Sequence, residues 1–312
     1  MTAVRGSRSR GVSPLTVWYG ELTSRGRLSA RGWLFAAPAL LWLLLFLILP
    51  GLAVVVVSFM QRGQYGDIVW QGTLENYSRA AGNGIFGFSF DNLLALARSL
   101  WTAGLTTVLA IILAFPLAFF IASRPEKSRY LWLTLVILPF WTNLVIRAYA
   151  WMLLLSPDSP ITRLASSLGL VEAGAALYPS AFAIQLGILT TFLPFVVLPL
   201  YSSVERLDWS LVEAAQDLYA SRTRTFFQAI VPQVLPGLTV SVILTFVPAM
   251  GMFVIPDLLG GGKFLLVGSL IQQAFGSSRD WPYGAALSLV LVLLTLIGLR
   301  IYRRYGKGVE LV

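Results

Sequence analysis

The chain has 312 residues, of which 57% are hydrophobic and 12% are charged, and its formal net charge is +9. Because a soluble domain contains about 25% charged residues, this composition excludes a large soluble domain and indicates a polytopic membrane protein. The sequence has no Cys and no His, which excludes disulfides, thiolate and imidazole metal ligands, and Ser-His-Asp triads. We therefore expect no metal site, no cofactor and no catalytic residue.

Six apolar stretches are long enough to cross a bilayer, which takes about 20 residues in a helix. They run near 33–59, 99–122, 131–155, 179–201, 237–259 and 284–302. The predicted fold class is therefore all-α, a polytopic bundle of about six transmembrane helices.

The distribution of basic residues predicts the orientation of this bundle. The N-terminal segment, the second and fourth loops and the C-terminal segment hold 16 of the 23 Lys and Arg residues, and the other loops hold six. The positive-inside rule then places both termini in the cytoplasm, and it explains the net charge without nucleic acid as a partner. We expect a basic cytoplasmic tail at 1–31, the first helix with an irregular outer loop at 32–95, a core at 96–303 and a cytoplasmic tail at 304–312.

Aromatic and polar residues share the third predicted span. Phe140, Asn143, Arg147 and Trp151 would lie on one face of a continuous helix, with Trp141 beside them. An aromatic face is typical of packing against a neighbouring helix. A charge inside the membrane is costly, so Arg147 indicates that this face looks into the bundle or lines a wet translocation path.

The loop before the fifth span has the pattern of a helix. Apolar or small side chains recur at helical spacing at Leu211, Ala214, Ala215 and Leu218. Ser210 and Glu213 have the spacing of a capping box. This helix is either an amphipathic surface helix that Glu213 merely caps, or a docking helix whose small residues allow a partner to approach closely.

A turn and a second short helix should follow within the same loop. The turn is predicted around 219–222, and Phe226, Phe227 and Ile230 mark the second helix. Because proline cannot continue a helix without losing a hydrogen bond, we expect Pro232 and Pro236 to end it.

The fifth span contains breaks and one acid. Pro248, Gly251 and Pro256 interrupt it, which predicts either a simple kink or a broken helix that lines the path. Asp257 is the only acidic residue within the six spans, and its estimated depth matches that of Arg147. We expect these two side chains to form an ion pair.

The segment at 260–263 only superficially suggests a nucleotide site. It reads Gly-Gly-Gly-Lys, but Asp257 stands where the first glycine of a phosphate-binding loop belongs and Phe264 replaces its Ser or Thr. The chain should therefore not hydrolyse ATP itself. Asp280 is predicted to cap the last helix.

The run from Glu213 to Pro236 resembles the EAA loop of ABC-importer permeases, the cytoplasmic segment that binds the ATP-hydrolysing subunit, and the resemblance implies a coupling loop at 205–236. Glu213, Ala214, Ala215 and Pro232 match the motif, whereas Tyr219 stands where the family has a glycine. The resemblance implies that Leu218 and Tyr219 also belong to this contact. A tight turn normally uses the glycine, so we expect Tyr219 to keep a backbone that is not left-handed.

Other segments resemble spermidine/putrescine-type permeases, including 138–151, 246–251, 256–261 and 279–286. This resemblance implies the type I ABC-importer permease fold in the inner membrane. It implies a second permease subunit, two copies of an ABC ATPase and an extracytoplasmic solute-binding protein as partners. The implied cargo is spermidine or putrescine, while another small solute, or an ion-coupled secondary transporter, stays an alternative.

Overall fold

The computed structural model describes residues 30–84, 87–172 and 174–305. The predicted tail at 1–31 lies almost wholly outside these residues, as does most of the tail at 304–312. Two units are distinguished, one up to Val56 and one from Val57 onward. The chain is helical in α1 (Ala30–Leu43), in a π-helical turn (Leu44–Ile48) and in α2 (Leu49–Ser58).

The all-α prediction is confirmed for the described residues. Five helices are long and apolar enough to cross a membrane, and a bent pair of helices would bring the number to six. The spans are Ala36–Ser58, Asp91–Ala122, Ala181–Glu205, Arg222–Met250 and Trp281–Arg300, and the bent pair is Glu126–Trp141 with Leu144–Leu154. The predicted ranges overlap all of them, although several helices extend further than the apolar stretches.

Three long helices form the centre of the second unit. α4 (Asp91–Ala122), α8 (Ala181–Glu205) and α11 (Val231–Met250) pack against one another. Small residues on α4 are fully buried in this contact, namely Ala103, Ala110, Ala114 and Ala118. Small side chains let membrane helices approach closely, where dispersion and hydrogen bonds hold them together. One such bond runs from Ser241 Oγ to the carbonyl of Val196 at 3.0 Å.

The third predicted span is not a continuous helix, so that prediction is wrong. α5 (Glu126–Ile137) runs into a 3₁₀ turn (Leu138–Trp141), and α6 (Leu144–Leu154) leaves at an angle of 93°. Asn143 caps α6, because its side chain accepts a hydrogen bond from the amide of Val145 at 2.8 Å. Phe140 therefore lies before the bend, not on the same helical face as Arg147 and Trp151.

The fifth predicted span breaks where expected, but its beginning differs. α11 ends at Met250, and α12 (Val254–Leu259) follows after a break, which confirms the predicted interruption at Gly251. Pro248 and Pro256 lie inside α11 and α12, so the prediction that they too interrupt the span is wrong. Pro232 and Pro236 do not end a helix. α10 (Arg222–Thr225) leads through a π-helical turn (Phe226–Ile230) directly into α11, with Pro232 in its first turn and Pro236 in its interior. Membrane helices tolerate such prolines because neighbouring groups and local adjustments satisfy the freed backbone groups.

The loop between the first two spans is more ordered than the predicted irregular structure. It contains a hairpin of β1 (Gln61–Arg62) and β2 (Ile68–Val69), the short helix α3 (Glu75–Ala80), and a second hairpin. The strands of that hairpin are β3 (Asn83–Gly84) and β4 (Gly87–Phe88). Internal hydrogen bonds explain the order, since the buried Asn76 Nδ2 donates to the carbonyls of Ser58 and Met60.

The remaining helices complete the second unit. They are α7 (Pro160–Ser167), α9 (Trp209–Asp217), α13 (Val267–Phe275) and α14 (Trp281–Tyr305). The cap predicted for α14 is confirmed, because Asp280 Oδ1 accepts a hydrogen bond from the amide of Tyr283 at 3.3 Å.

Candidate functional site: the 206–230 loop

The loop that joins α8 to α11 begins with the capped helix α9. Asp208, not Ser210, is the N-cap: its Oδ1 accepts hydrogen bonds from the Ser210 amide at 3.0 Å and the Ser210 hydroxyl at 2.6 Å. The predicted capping box of Ser210 and Glu213 is therefore wrong, since the helix starts two residues earlier, at Trp209. The Ser210 hydroxyl, and then the Ser210 amide, lower the pKa of Asp208.

Contacts at both ends hold this loop to the bundle. Gln233 of α11 accepts a hydrogen bond from the Asp208 amide at 2.9 Å through Oε1, so the start of α9 is tied to α11. Phe226 packs edge-on against Phe115 of α4, with ring centroids 5.3 Å apart. Val212 faces inward and is 5% exposed. These contacts anchor the loop to α4 and α11.

The predicted apolar face of α9 is uncovered in the described chain. Leu211 is 51% exposed and Leu218 is 82% exposed, Ala214 is exposed, and Ala215 is partly buried. Glu213 is also exposed. Exposed apolar side chains on a polar loop are typical of a surface that a partner covers.

The turn after α9 is left-handed at Tyr219, which corrects the expected backbone. Tyr219 has a φ angle of 57°. The Ala220 amide donates to the Ala215 carbonyl at 3.1 Å, and the Tyr219 amide donates to the Gln216 carbonyl at 2.9 Å. These two bonds define a Schellman motif, whose C′ residue must be left-handed whatever its side chain. The turn therefore keeps the geometry that a glycine would give.

A second polar contact near this loop was not predicted. Arg129 of α5 donates from Nη1 to Glu205 Oε1 at 2.5 Å, at the end of α8. Its Nη2 also donates to the carbonyls of Ala122 and Arg124 at the end of α4. A cleft of about 810 Å³ lies beside the ion pair and is lined also by Trp209. Only the cluster of basic residues in this turn hinted at such a contact.

The predicted ion pair between Arg147 and Asp257 is absent from the described residues. Arg147 Nη1 instead donates to the carbonyl of Pro139 at 3.4 Å, across the bend. A straight third helix would place the two residues at matching depth, but the helix bends by 93° before Arg147. α12, which carries Asp257, does pack against α6, which carries Arg147.

The predicted path residues separate into different environments. Trp151 Nε1 donates to Thr190 Oγ1 at 3.1 Å, so this ring packs inside the bundle. Phe140 is 45% exposed and meets Phe195 edge-on at 5.1 Å, whereas Trp141 is 75% exposed. The structure thus does not bring the aromatic residues onto one continuous surface.

The break after α11 opens a second cleft. It has a volume of about 540 Å³, and its lining includes Gly251, Phe253, Gln272 and Leu291. Pro248 is exposed one helical turn earlier. Among the described residues no group of three or more acids could hold a metal ion.

A bundle with a broken helix near its centre and an uncovered helix–turn–helix between two spans has the architecture of an integral-membrane permease. Residues 114–311 match the family described as "Binding-protein-dependent transport system inner membrane component". The chain belongs to this family and is a multi-pass permease of the inner membrane.

Individual relatives agree with this assignment. The chain is 39% identical over 274 residues to the spermidine/putrescine transport system permease protein PotB of Escherichia coli (strain K12), covering 86% of this chain and 97% of the relative. The fold is similar to that of a bacterial ABC transporter that imports the acidic polysaccharide alginate, with a TM-score of 0.70, 18% identity, and coverage of 94% and 99% of the two chains.

A second solved structure has a similar fold. It is the bacterial alginate ABC transporter in complex with an alginate pentasaccharide-bound periplasmic protein. The TM-score is 0.64 at 17% identity, with 89% of this chain and 96% of that chain covered. Both solved structures support the type I importer permease fold.

Proposed function

We propose that this chain is the permease subunit of an ATP-driven importer that carries spermidine or putrescine. The observation that carries the proposal is the uncovered face of α9, Leu211 to Leu218, in a chain that is 39% identical to a spermidine/putrescine permease over nearly its whole length. The chain conducts the solute, and the energy comes from a partner.

The partner at the 206–230 loop is an ABC ATPase subunit, of which the complete importer holds two copies. The apolar part of this contact consists of Leu211, Ala214, Ala215 and Leu218, and the exposed Glu213 and Pro232 also belong to it. Because Gln233 and Phe226 fix the loop to α11 and α4, closure of the ATPase dimer displaces these helices directly. A second permease subunit carries the matching loop for the other ATPase.

The solute enters from an extracytoplasmic binding protein on the opposite side. A binding protein sits in the complex of the fold relative that imports alginate, which supports this arrangement. Both termini and the 206–230 loop then face the cytoplasm, as the distribution of Lys and Arg predicts. Since the chain lacks Cys, single cysteines at Ser166 and Gln216, labelled with an impermeant maleimide on intact cells, test this orientation cleanly.

A polyamine crosses the chain by weak contacts. Trp141 and Phe140 offer exposed aromatic rings before the bend, and Asp257 offers a carboxylate after the break. Cation–π contacts contribute about 0.5–2 kcal/mol each. Such weak binding suits a conduit, because strong binding would hold the cargo in the path. The solute moves between the bend in the third span and the break in the fifth. The residues that shape these two features are Asn143, Arg147, Trp151, Pro248 and Gly251.

The test is uptake of radiolabelled spermidine and putrescine by the complete importer in liposomes. ATP inside and binding protein outside should both be needed, and an importer with a hydrolysis-deficient ATPase is the control. Competition by an amino acid and by an anionic solute measures selectivity. Uptake of the anion without either polyamine would contradict the assignment of the cargo. Uptake driven by an ion gradient without ATP would contradict the ATP-driven mechanism.

A further inference from the structure

Tyr219 combines an unfavourable backbone with a fully exposed ring. Its φ angle is 57°, a left-handed conformation that bulky residues rarely adopt. Its side chain is 98% exposed. A glycine would complete the same Schellman motif without steric cost, so the side chain rather than the turn needs an explanation.

Contacts within the described chain do not explain why a tyrosine stands at position 219. Among the described residues the Tyr219 side chain makes no hydrogen bond, ring contact or cation–π contact. Strain of this kind persists where the surrounding structure enforces it, and it concentrates at functional sites. Here the left-handed backbone is enforced by the two hydrogen bonds of the Schellman motif, which the amides of Tyr219 and Ala220 donate.

The same bonds fix the direction in which the Tyr219 side chain leaves the backbone. They fix the backbone on both sides of Tyr219, and the next residue back, Leu218, is 82% exposed. Leu218 continues the exposed face that begins at Leu211 and Ala214, and Tyr219 follows it directly in the chain. The ring therefore projects into solvent beside the docking surface.

We propose that Tyr219 inserts its ring into an apolar pocket on the ATPase subunit and makes the pairing selective for an ATPase that has such a pocket. This inference rests on the proposed function, because it names what the partner must offer to this loop. Tyr is enriched among the few side chains that dominate binding energy at interfaces, where a ring fills a desolvated pocket. An ATPase whose groove matches a bare glycine turn would collide with the ring.

Lipid is the competing occupant, because Tyr also favours membrane surfaces. The neighbouring residues favour a protein. Glu213 and Asp217 on α9 are exposed acids, and Arg222 and Arg224 after the turn are exposed bases. A mixed set of charges around an apolar centre fits a protein interface with a polar rim, whereas acids near the ring oppose an anionic lipid surface.

The binding test uses the full chain with its second permease in lipid nanodiscs, titrated with the ATPase subunit of the same transport system. Tyr219→Gly and Tyr219→Asn relieve the left-handed strain but remove the ring, and Tyr219→Phe keeps the ring. Tyr219→Phe should bind like the unchanged chain, while Tyr219→Gly and Tyr219→Asn should bind about tenfold more weakly or worse. The thermal midpoints of the two strain-relieved variants without ATPase should not fall, which shows that the loss comes from the interface.

A photo-crosslinking analogue of phenylalanine at 219 identifies the neighbour. It should form a product with the ATPase subunit, and the same analogue at Trp42, whose ring is 66% exposed on an apolar helix, should not. Wild-type affinity in Tyr219→Gly and Tyr219→Asn, or crosslinks at 219 only to lipid, would overturn the inference. If the unchanged chain does not bind the ATPase, the proposed function itself fails, and the inference fails with it.

Discussion

Arg79 and Asp280 form an ion pair of 2.9 Å between residues 201 positions apart in the sequence. Asp280 is 2% exposed, and it also caps α14 through the Tyr283 amide. Arg79 lies over the Tyr283 ring at 4.4 Å, and Arg62 approaches the same carboxylate at 3.8 Å. One carboxylate therefore fastens the loop before α4 to the start of the last span.

Asp280→Asn should destabilise the protein by about 3 kcal/mol, near the lower end of the cost of breaking a buried pair. The expected loss of stability is near the lower end because the Arg79 side chain is 28% exposed and water screens part of its charge. Thermal unfolding in detergent measures the change. Arg163→Gln, which removes an exposed charge on α7, is the control and should leave the midpoint unchanged; equal midpoints for both variants would contradict the structural role of Asp280.

Ala214→Asp should abolish ATP-dependent transport while the protein still inserts and folds. Ala214 is exposed, so the new carboxylate is harmless in the free chain, but in the complex it would be buried without a partner. Ala215→Asp should do the same, with some loss of stability because Ala215 is partly buried. The measurement is binding of the ATPase subunit together with uptake.

Gln216→Asp is the matched control for these two variants. It adds the same charge at the residue after Ala215, on the side of α9 away from the face that contains Leu211 and Leu218. Normal uptake by Gln216→Asp with none by Ala214→Asp maps the docking face. Normal uptake by all three variants would mean that this face contacts no partner.

The long, strongly apolar elements could be predicted from the sequence, and so could the break at Gly251, where glycine and prolines interrupt the apolar run. The bend at Asn143 was missed because the run 131–155 stays apolar through it. Pro139 and Asn143 together could have suggested a stop and a new cap. The Arg79–Asp280 pair lies outside any local pattern. Side-chain propensity gives the wrong backbone at Tyr219, because the Schellman motif requires a left-handed residue there.

The Asp208 cap predicts a pH dependence confined to the start of α9. Hydrogen bonds from the Ser210 hydroxyl and then the Ser210 amide lower the pKa of Asp208 in the folded protein below its ordinary 3.8. A lowered pKa means that the cap stabilises α9 above 3.8 and is lost as the pH falls through the folded value. Amide exchange of the α9 segment should therefore accelerate relative to Asp208→Asn as the medium becomes acidic.

Asp208→Asn is the right reference because asparagine caps helices about as well as aspartate but does not titrate. Both proteins are compared at each pH, so the intrinsic pH dependence of exchange cancels. A constant ratio between the two proteins from pH 6 to pH 2, roughly the range over which an aspartate can lose its charge, would show that the carboxylate does not support α9.

Arg147 and Asp257 should behave as independent residues in a double-mutant cycle. Arg147 bonds to the Pro139 carbonyl across the bend and makes no ion pair with Asp257 in the part of the chain that the structure describes. Arg147→Gln should weaken the bend between α5 and α6, while Asp257→Asn should reduce polyamine uptake by removing a carboxylate after the break. The effects on unfolding free energy should add to within about 0.5 kcal/mol, as for residues without shared contacts. A coupling energy well above that value, measured by unfolding of both single variants and the double variant, would contradict the independence of the two side chains.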